Sequence, residues 1–262
     1  MKTKGTSLGR RTLLNLIVLV GVCQVLALPF VHAQSTVYNT VLGETNPITP
    51  EISTEQLLKI LADHSGPVLD VRFAQEYAIA HIPGSINIYE KELETITQRF
   101  PDKATPIVLY CNGPFCGKSK RVSGELVKLG YTDVKRYQLG LPIWRALGHA
   151  VQTDLPGIQY VADGDKTAIF VDARSHGEFE QASAPGAVNI LAGEAEQANE
   201  PADGRLPHKD KGTRVIVFAN DPKDARKVAE EIAQKAYWNS SFFGGTPGEL
   251  QAKGLWHQKK AK

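Results

Sequence analysis

Apolar residues occur along the chain both in short continuous runs and in stripes at helical spacing. Residues 57–61 carry leucine and isoleucine on one helical face, directly after a capping box that Ser53 and Gln56 would form. The continuous run VLDV at 68–71 predicts a buried strand, and a second apolar run ends at residue 111. The pattern therefore opens with a helix that leads into a strand.

A glycine-containing loop follows that second run and leads into another apolar stripe. The stripe predicts a helix that ends at Gly130, and a strand follows near residues 132–138. Strands at 167–172 and 214–219 and a helix from Pro222 then repeat the same order. Strands that alternate with helices favour parallel pairing. We therefore expect an α/β fold of two domains, each a small, open, mostly parallel sheet covered by helices on both faces.

The two halves share one motif in the same register. The strings VLDVRFAQEYAIAHIPGSINI and IFVDARSHGEFEQASAPGAVNI begin at residues 68 and 169. Each copy then continues into a second apolar strand, which ends at Cys111 in the first half and at Ala219 in the second. Only the first copy therefore has a nucleophile at this place. The matching positions of the first copy are Asp70, Arg72, Glu76, Pro83, Gly84, Asn87 and Ile88.

The N-terminus has the pattern of an export signal. Four basic residues precede an apolar run over 13–30, and small residues follow. We expect residues 1–33 to be a signal peptide that is cleaved after Ala33, with an uncleaved anchor helix as the alternative. Residues 34–50 have no periodicity and predict an extended arm. Export would place the mature protein in the periplasm or otherwise outside the cytoplasm.

The remaining chain divides into two predicted domains at the end of the first repeat. We expect a catalytic domain over 51–153 and an inactive domain over 154–262. The segment 150–164 contains turn residues without a clear helical stripe, so it is the expected connection between them.

Length and charge limit the classes of function. The sequence has 262 residues, enough for two domains of ordinary size. It has 30 Lys and Arg against 28 Asp and Glu, and loss of the four basic residues in 1–33 leaves 26 against 28. This nearly neutral balance predicts no nucleic-acid partner and no stable membrane association after cleavage. The seven histidines show no metal-ligand spacing, so we expect neither a metal nor another cofactor.

A cysteine that ends a strand and opens a loop into a helix has a definite chemistry. Backbone N–H groups and the positive end of the helix dipole meet at such a place. We therefore expect the Cys111 thiolate to be favoured, and its thiol pKa to be lowered. The same donors would hold a persulfide or a sulfur oxyanion.

The strings DVRFAQEYAIAHIPGSINI and IVLYCNGPFCGKS resemble the rhodanese sulfurtransferases, and the two copies resemble that family's tandem arrangement. The resemblance implies that Cys111 is the nucleophile, which takes sulfane sulfur from thiosulfate, a polysulfide or a persulfide donor and passes it to a thiophilic acceptor. Small sulfur-containing anions and a periplasmic acceptor protein are the implied partners. The residues expected to bind the anion are Asn112, Gly113, Phe115, Gly117, Lys118 and Ser119.

Other residues of the first motif are expected to be structural. Asp70 and Arg72 predict an internal ion pair that braces the end of a strand. His81 lies in AHIPG, which resembles the family's structural turn, and a local hydrogen bond is favoured there over catalysis.

Two features depart from the rhodanese pattern and keep other functions open. The loop is about two residues longer than usual, and it contains a second thiol, Cys116. Cys116 would be either a resolving cysteine or an apolar filler under the loop. A thiol-disulfide or oxyanion reductase that uses Cys111 and Cys116 is therefore an alternative. A non-catalytic periplasmic sulfur carrier or binding module is another.

The second half lacks the nucleophile and the paired glycines of a cradle after Ala219. A structural role is expected for it. By analogy with tandem relatives it would pack on the active half and line the cleft, with residues 220–223 and 244–248 as candidates for that contact.

Overall fold

The structure is a computed structural model that describes residues 46–258. The first half contains five helices and four strands. They are, in chain order, α1 (Thr54–Asp63), β1 (Val68–Asp70), α2 (Ala74–Ile79), β2 (Ile86–Asn87), α3 (Leu93–Arg99), β3 (Ile107–Tyr110), α4 (Gly117–Lys128), β4 (Val134–Tyr137) and α5 (Gly140–Ala146). The strands form one sheet in the order β2-β1-β3-β4, and every pairing in it is parallel.

The second half repeats this arrangement around a five-stranded parallel sheet in the order β5-β10-β9-β6-β8. Its elements are β5 (Val151–Thr153), α6 (Leu155–Gly164), β6 (Ile169–Asp172), α7 (His176–Gln181), β7 (Ala182–Ser183), β8 (Val188–Asn189), α8 (Ala195–Ala198), β9 (Val215–Phe218), α9 (Pro222–Ala233), β10 (Ser240–Phe243), α10 (Pro247–Ala252) and β11 (His257–Gln258). Short strands β11 and β7 form a separate antiparallel pair. The predicted α/β fold with two parallel sheets is confirmed.

The sheets are buried on both faces, as parallel sheets require. In β9, Val215 and Val217 pack in a cluster with residues of α8 and α9, whereas Ile216 and Phe218 pack in another with residues of α6 and α10. All four residues of β3 are buried as well. This explains why both strands appear as continuous apolar runs in the sequence.

Local signals place the first helix correctly. The Ser53 Oγ accepts a hydrogen bond from the Gln56 N–H, and the Gln56 Oε1 accepts one from the Ser53 N–H. This reciprocal pair is the predicted capping box, and it satisfies two donors that a helix start leaves without partners. Ahead of it, the chain pairs with β4, because the Arg136 N–H donates to Pro50 O and the Ile52 N–H to Arg136 O.

The prediction of an irregular connection over 150–164 is wrong. This segment forms β5 and α6. In α6 the apolar residues Leu155, Ile158 and Val161 recur at every third position, but the intervening Pro156 and Gly157 are typical of turns, which hid the stripe from the sequence pattern. Its buried residues Ile158 and Val161 acquire their partners from the second sheet, so tertiary packing and not local periodicity defines the helix.

The strand β5 joins the two halves directly. It pairs with β10 of the second sheet, and Gln152 also exchanges two backbone hydrogen bonds with His81 of the first half. Because β5 is part of the second sheet, residues 151–153 belong to the second half. The boundary between the halves therefore lies before the expected one between residues 153 and 154. A strand that is bonded on both edges ties the halves together, unlike a flexible linker.

The predicted signal peptide (1–33) and most of the predicted arm (34–50) lie outside the described residues. Within residues 46–258, no helix is long and apolar enough to cross a bilayer.

The contact between α2 and α6 gives a test of the packing at this junction. A Cβ on Gly157 would lie 2.0 Å from the Ala78 carbonyl O, so backbone would have to move to accept it. We expect Gly157→Ala to lower the free energy of unfolding by about 1–3 kcal/mol in urea denaturation. Gly164→Ala in the same helix is the control, because a Cβ there meets nothing within 4 Å. Equal effects of both changes would contradict this packing.

Candidate active site

Cys111 directly follows β3 at the carboxyl edge of the first sheet, the edge where open α/β sheets place their sites. The residue is only 1% exposed and packs in the apolar cluster that includes Val122 and Leu126 of α4. Its Sγ lies 3.5 Å from the Cys116 carbonyl O and 3.4 Å from the Ser119 Oγ. The predicted nucleophile is therefore at the start of α4, but it is buried.

The first turn of α5 contacts the backbone of the loop that begins at Cys111. The Leu141 N–H donates to the Cys111 carbonyl O at 3.3 Å. A Cβ on Gly140 would lie 2.5 Å from that same oxygen and 2.5 Å from the Gly113 nitrogen. Gly140 and Gly113 also have φ values of +63° and +117°, which favour glycine. The path of the loop thus depends on a close approach between two backbone segments.

Gln138, which follows β4, organises the opposite side of the loop. Its Nε2 donates to Pro114 O at 2.9 Å and to Cys116 O at 3.0 Å, and lies 3.4 Å from Gly113 O. The loop therefore turns carbonyl oxygens toward β4. On the sulfur side, the backbone N–H of Ser119 hydrogen-bonds to the Cys111 sulfur. A complete ring of N–H donors around the sulfur stays a prediction.

The other end of the Gln138 amide continues this network. Its Oε1 accepts hydrogen bonds from the Ser119 Oγ at 3.0 Å and from the Arg136 Nη1 at 3.1 Å. Arg136 is itself buried and ion-paired with Glu51 at 3.1 Å. A chain of polar contacts thus extends from the edge of the first sheet to the hydroxyl next to the Cys111 sulfur.

The expectation of a lowered pKa for the Cys111 thiol is wrong for this arrangement. The pKa of the Cys111 thiol is raised to about 11, mainly by burial and also by the neighbouring Cys116 side chain, whereas the backbone N–H of Ser119 lowers it. Burial disfavours the charged form because the thiolate loses its hydration. The helix terminus supplies favourable contacts, but they do not outweigh that loss.

Cys116 directly precedes α4 as its N-cap residue. Neither cysteine is in a disulfide, and the half-buried Cys116 packs against the apolar cluster that contains Cys111. This position agrees with the interpretation of Cys116 as apolar filler. Its carbonyl O lies 3.5 Å from the Cys111 Sγ, so the two cysteines are neighbours, and a resolving role stays a prediction.

Lys118 lies over an aromatic pair at the rim of the site. Its Nζ is 4.2 Å from the Phe73 ring centroid and 5.6 Å from that of Tyr89, and these two rings stack at 4.6 Å. The same Nζ is 3.9 Å from a carboxylate oxygen of Glu76. The ammonium group is therefore held by cation–π contacts and a carboxylate, and its role in anion binding stays a prediction.

Arg121 is a second cation at the loop, which the sequence reasoning missed. It pairs with Glu90 at 2.5 Å, and its Nη1 lies 2.9 Å from where a Cβ on Gly117 would be. Phe115, at the tip of the loop, is fully exposed. These side chains border the loop without contacting the sulfur.

The predicted ion pair between Asp70 and Arg72 is present and buried, at 2.5 Å. Arg72 also donates to Ala80 O at 2.6 Å and to the Asn112 Oδ1 at 3.3 Å. Asn112 in turn donates to Glu76 at 2.6 Å. The ion pair thus joins the end of β1 to the residue that follows the nucleophile.

The second half has most of these contacts around Ala219. Arg174 pairs with Asp172 at 2.7 Å and donates to Ala182 O, and Asn220 donates to Glu178 at 2.7 Å. Because the copy without a thiol has these contacts too, they belong to the scaffold and not to the sulfur chemistry. What the second half lacks, besides the thiol, is the glutamine, since Gly244 directly follows β10.

His81 lies at the junction between the halves. Its ring stacks on Tyr77 with centroids 3.8 Å apart, and the Nδ1 contacts Tyr77 O at 2.9 Å. The Nε2 is 4.0 Å from a carboxylate oxygen of Asp154, and burial lowers the His81 pKa. The local hydrogen bond expected from the sequence is present.

Residues 220–223 and 244–248 lie beside α1 and β5. Lys223 lines a cleft of about 530 Å³ together with Leu61, Pro83 and Trp144. The Gly244 N–H donates to Thr153 O. These interactions do not reach the Cys111 loop. That residues 220–223 and 244–248 line the cleft of the sulfur site therefore stays a prediction.

Sequence comparison decides the family. The model of the rhodanese-like domain matches residues 53–147 and 159–245, once in each half. The chain belongs to the rhodanese-like domain family. The two matches confirm the tandem arrangement that the repeated motif predicts.

Similarity to individual rhodanese-like proteins is partial. Over 69 residues the chain is 39% identical to thiosulfate sulfurtransferase PspE of Escherichia coli K12. The matched segment makes up 26% of this chain and 64% of PspE. Over 106 residues it is 31% identical to the HTH-type transcriptional regulator Rv0324 of Mycobacterium tuberculosis. This matched segment makes up 40% of this chain and 46% of Rv0324. The chain thus spans less than two thirds of either curated relative.

Solved structures of the family are similar as well. A thiosulfate sulfurtransferase from Pseudomonas aeruginosa aligns with 81% of this chain and 44% of its own, at 22% identity and a TM-score of 0.37. The E. coli structure described as rhodanese with anions aligns with 28% and 85%, at 35% identity and a TM-score of 0.26.

The sequence reasoning missed Gln138, Arg136 and Gly140 of this rhodanese-like site. Gln138 is a polar residue at the carboxyl end of a predicted strand, where sites are expected, so its position was available as a signal. Within the described part of the chain, no cluster of three or more His, Cys, Asp or Glu side chains has a metal-binding arrangement.

The raised thiol pKa gives a test of the buried state. We expect the alkylation rate of Cys111 by iodoacetamide, in a Cys116→Ala background, to rise about tenfold per pH unit up to a plateau above pH 9.0, because burial still raises the thiol pKa after the contribution of Cys116 is removed. The sign follows because alkylation requires the thiolate, and burial reduces its fraction. A peptide of the loop sequence is the control, with a plateau near the ordinary value of 9.0. A plateau of the protein below that of the peptide would contradict the buried thiol.

Proposed function

We propose that this tandem rhodanese-like protein is a sulfurtransferase with a single active site at Cys111. One observation carries the proposal: of the two homologous sites, only the first has a thiol between the end of a central strand and the start of a helix. PspE, which is similar over part of the first half, is described as a thiosulfate sulfurtransferase. Thiosulfate is therefore the first donor to test, and polysulfides and persulfides are others.

The proposed reaction has two steps. The Cys111 thiol loses its proton, and the thiolate attacks the outer sulfur of thiosulfate. A bond forms between the two sulfur atoms, the bond to the sulfite sulfur breaks, and sulfite leaves with the electron pair. A nucleophile such as cyanide or a thiolate then attacks the outer sulfur of the Cys111 persulfide, which restores the Cys111 thiolate.

The surroundings of Cys111 suit anionic reactants. The first N–H groups of α4 have no acceptor within the helix, and the N–H of Ser119 is close enough to Cys111 to favour its thiolate. Lys118 and Arg121 add positive charge at the rim. These donors favour a persulfide anion or an oxyanion over the sulfur.

A thiol-disulfide reductase is the second candidate. The closeness of the two cysteines favours it, because exchange requires two thiols within reach of each other and the Cys116 carbonyl O lies 3.5 Å from the Cys111 Sγ. In that reaction a substrate disulfide would be reduced and a Cys111–Cys116 disulfide would form. A sulfur carrier that needs a dedicated periplasmic partner protein would instead load at Cys111 without turnover.

Intact-mass spectrometry distinguishes these functions. The reduced protein, without residues 1–33, is incubated with thiosulfate beside its Cys111→Ser and Cys116→Ser variants. We expect a gain of one sulfur atom in the parent and in Cys116→Ser, none in Cys111→Ser, and release of that sulfur by cyanide as thiocyanate. A loss of two hydrogens that requires both cysteines, without a sulfur gain, would contradict the sulfurtransferase and support the reductase. Loading without release by cyanide or thiols would support the carrier.

Export is part of the same proposal, because the basic and apolar pattern of residues 1–33 is that of a signal peptide. Expression of the full sequence in a Gram-negative host should give a periplasmic protein whose first residue is Gln34. N-terminal sequencing of the periplasmic fraction measures this. A protein that begins at residue 1 and sediments with the membranes would instead indicate an uncleaved anchor.

A further inference from the structure

The orientation of the Gln138 amide is fixed by partners of opposite kinds at its two ends. Its nitrogen faces the carbonyl oxygens of Pro114 and Cys116, which only accept hydrogen bonds. Its oxygen faces the Arg136 guanidinium, which only donates. A flipped amide would set oxygen against oxygen and nitrogen against nitrogen. The buried Oε1 is therefore an acceptor at this place, 3.0 Å from the Ser119 hydroxyl.

This acceptor determines the direction of the Ser119 hydroxyl. A serine hydroxyl has a single hydrogen, and the Gln138 Oε1 has none to offer. The Ser119 Oγ therefore donates to Gln138. It follows that the same oxygen, 3.4 Å from the Cys111 Sγ, presents a lone pair to the sulfur and not a hydrogen.

A lone pair next to the sulfur favours the thiol over the thiolate. The thiol can donate its hydrogen to the Ser119 Oγ or to the Cys116 carbonyl O at 3.5 Å, whereas a thiolate would face two acceptors. To stabilise the thiolate, the Ser119 hydroxyl would have to rotate, and its bond to the buried Gln138 Oε1 would be lost. A hydrogen bond to a charged group contributes about 1.5–3 kcal/mol, so this choice of partner is energetically significant.

We propose that Gln138 is a positioning residue that holds the Ser119 hydroxyl away from Cys111 and so keeps the nucleophile in its thiol form in the resting site. The inference rests on the proposed function only in taking Cys111 as the nucleophile. Gln138 itself does not contact the sulfur. It acts through Ser119, and the inactive second half has Gly244 in its place.

Charged and titratable groups face the thiol from several elements, and their effects must be separated from that of Gln138. Cys116 faces Cys111 from just before α4, and Arg121 acts on Cys111 from that helix. From β4, Arg136 reaches the site only through Gln138. From the end of β1, Arg72 reaches the residue after the nucleophile. The Cys116→Ala background removes the first of these groups from every variant alike, and the substitutions at Gln138 leave the other groups in the protein.

Two substitutions at Gln138 distinguish an effect of the Ser119 hydroxyl on the Cys111 thiol from an effect of a changed loop shape. Both Gln138→Met and Gln138→Glu remove the donor to the loop carbonyls, but only Gln138→Glu keeps an acceptor for Ser119. The measurement is the pH profile of Cys111 alkylation by iodoacetamide in a Cys116→Ala background, with thermal unfolding to verify that each variant is folded. We expect Gln138→Met to shift the profile about one pH unit lower, which increases the thiolate fraction at pH 8 about tenfold. We expect Gln138→Glu not to shift it lower.

A second comparison tests the path through Ser119. Against Ser119→Ala, which has no hydroxyl to release, the added Gln138→Met change should leave the profile within a few tenths of a unit, because the two changes act through one contact. An equal downward shift by Gln138→Met and Gln138→Glu would overturn the proposal and assign the effect to exposure of the thiol. So would a shift that persists in Ser119→Ala, or no shift at all. Alkylation measures the thiol alone, so these outcomes are distinct from a failure to load sulfur from thiosulfate.

Discussion

The buried ion pair at the end of β1 is the contact on which the site depends most. Asp70 has no solvent exposure, and its Arg72 partner also bonds the carbonyl at the end of α2 and the side chain of Asn112 next to the nucleophile. One guanidinium thus fixes a strand end, a turn and the start of the Cys111 loop. Removal of one member of such a pair typically costs about 3–5 kcal/mol, because the other charge stays buried without a partner. The same pair, Asp172 with Arg174, holds the second half.

The duplication separates the scaffold from the chemistry. Both halves have the ion pair and the asparagine that bonds a glutamate, so these contacts are sufficient to build the fold without any reaction. The first half adds a thiol and a glutamine that connects the loop carbonyls to the serine near the sulfur. Reactivity in this protein therefore depends on a small polar network added to a scaffold that also occurs without it.

The polar network around Gln138 and the burial of the sulfur both favour the Cys111 thiol, whereas the N-terminus of α4 favours the thiolate. The Ser119 N–H favours the thiolate, whereas desolvation and the arrangement of carbonyls and hydroxyl favour the thiol. The proposed sulfur transfer at neutral pH accordingly requires that an entering anion and the loop donors offset the cost of removing the proton. The junction through β5 links the two halves, since this strand pairs with β10 and also bonds to His81 of the first half.

The sequence alone was sufficient for the features that rest on local or repeated patterns. It determined the two parallel sheets, the capping box of α1, the ion pair and the position of Cys111, because strand runs, caps and a duplicated motif are visible in the order of residues. Tertiary structure alone decided that 150–164 forms β5 and α6, since their partners are distant in the chain. It also decided the ionisation of Cys111. The thiol pKa depends on how deeply the loop buries the sulfur and on where Gln138 directs the Ser119 hydroxyl, and neither quantity is encoded in the spacing of residues around the cysteine.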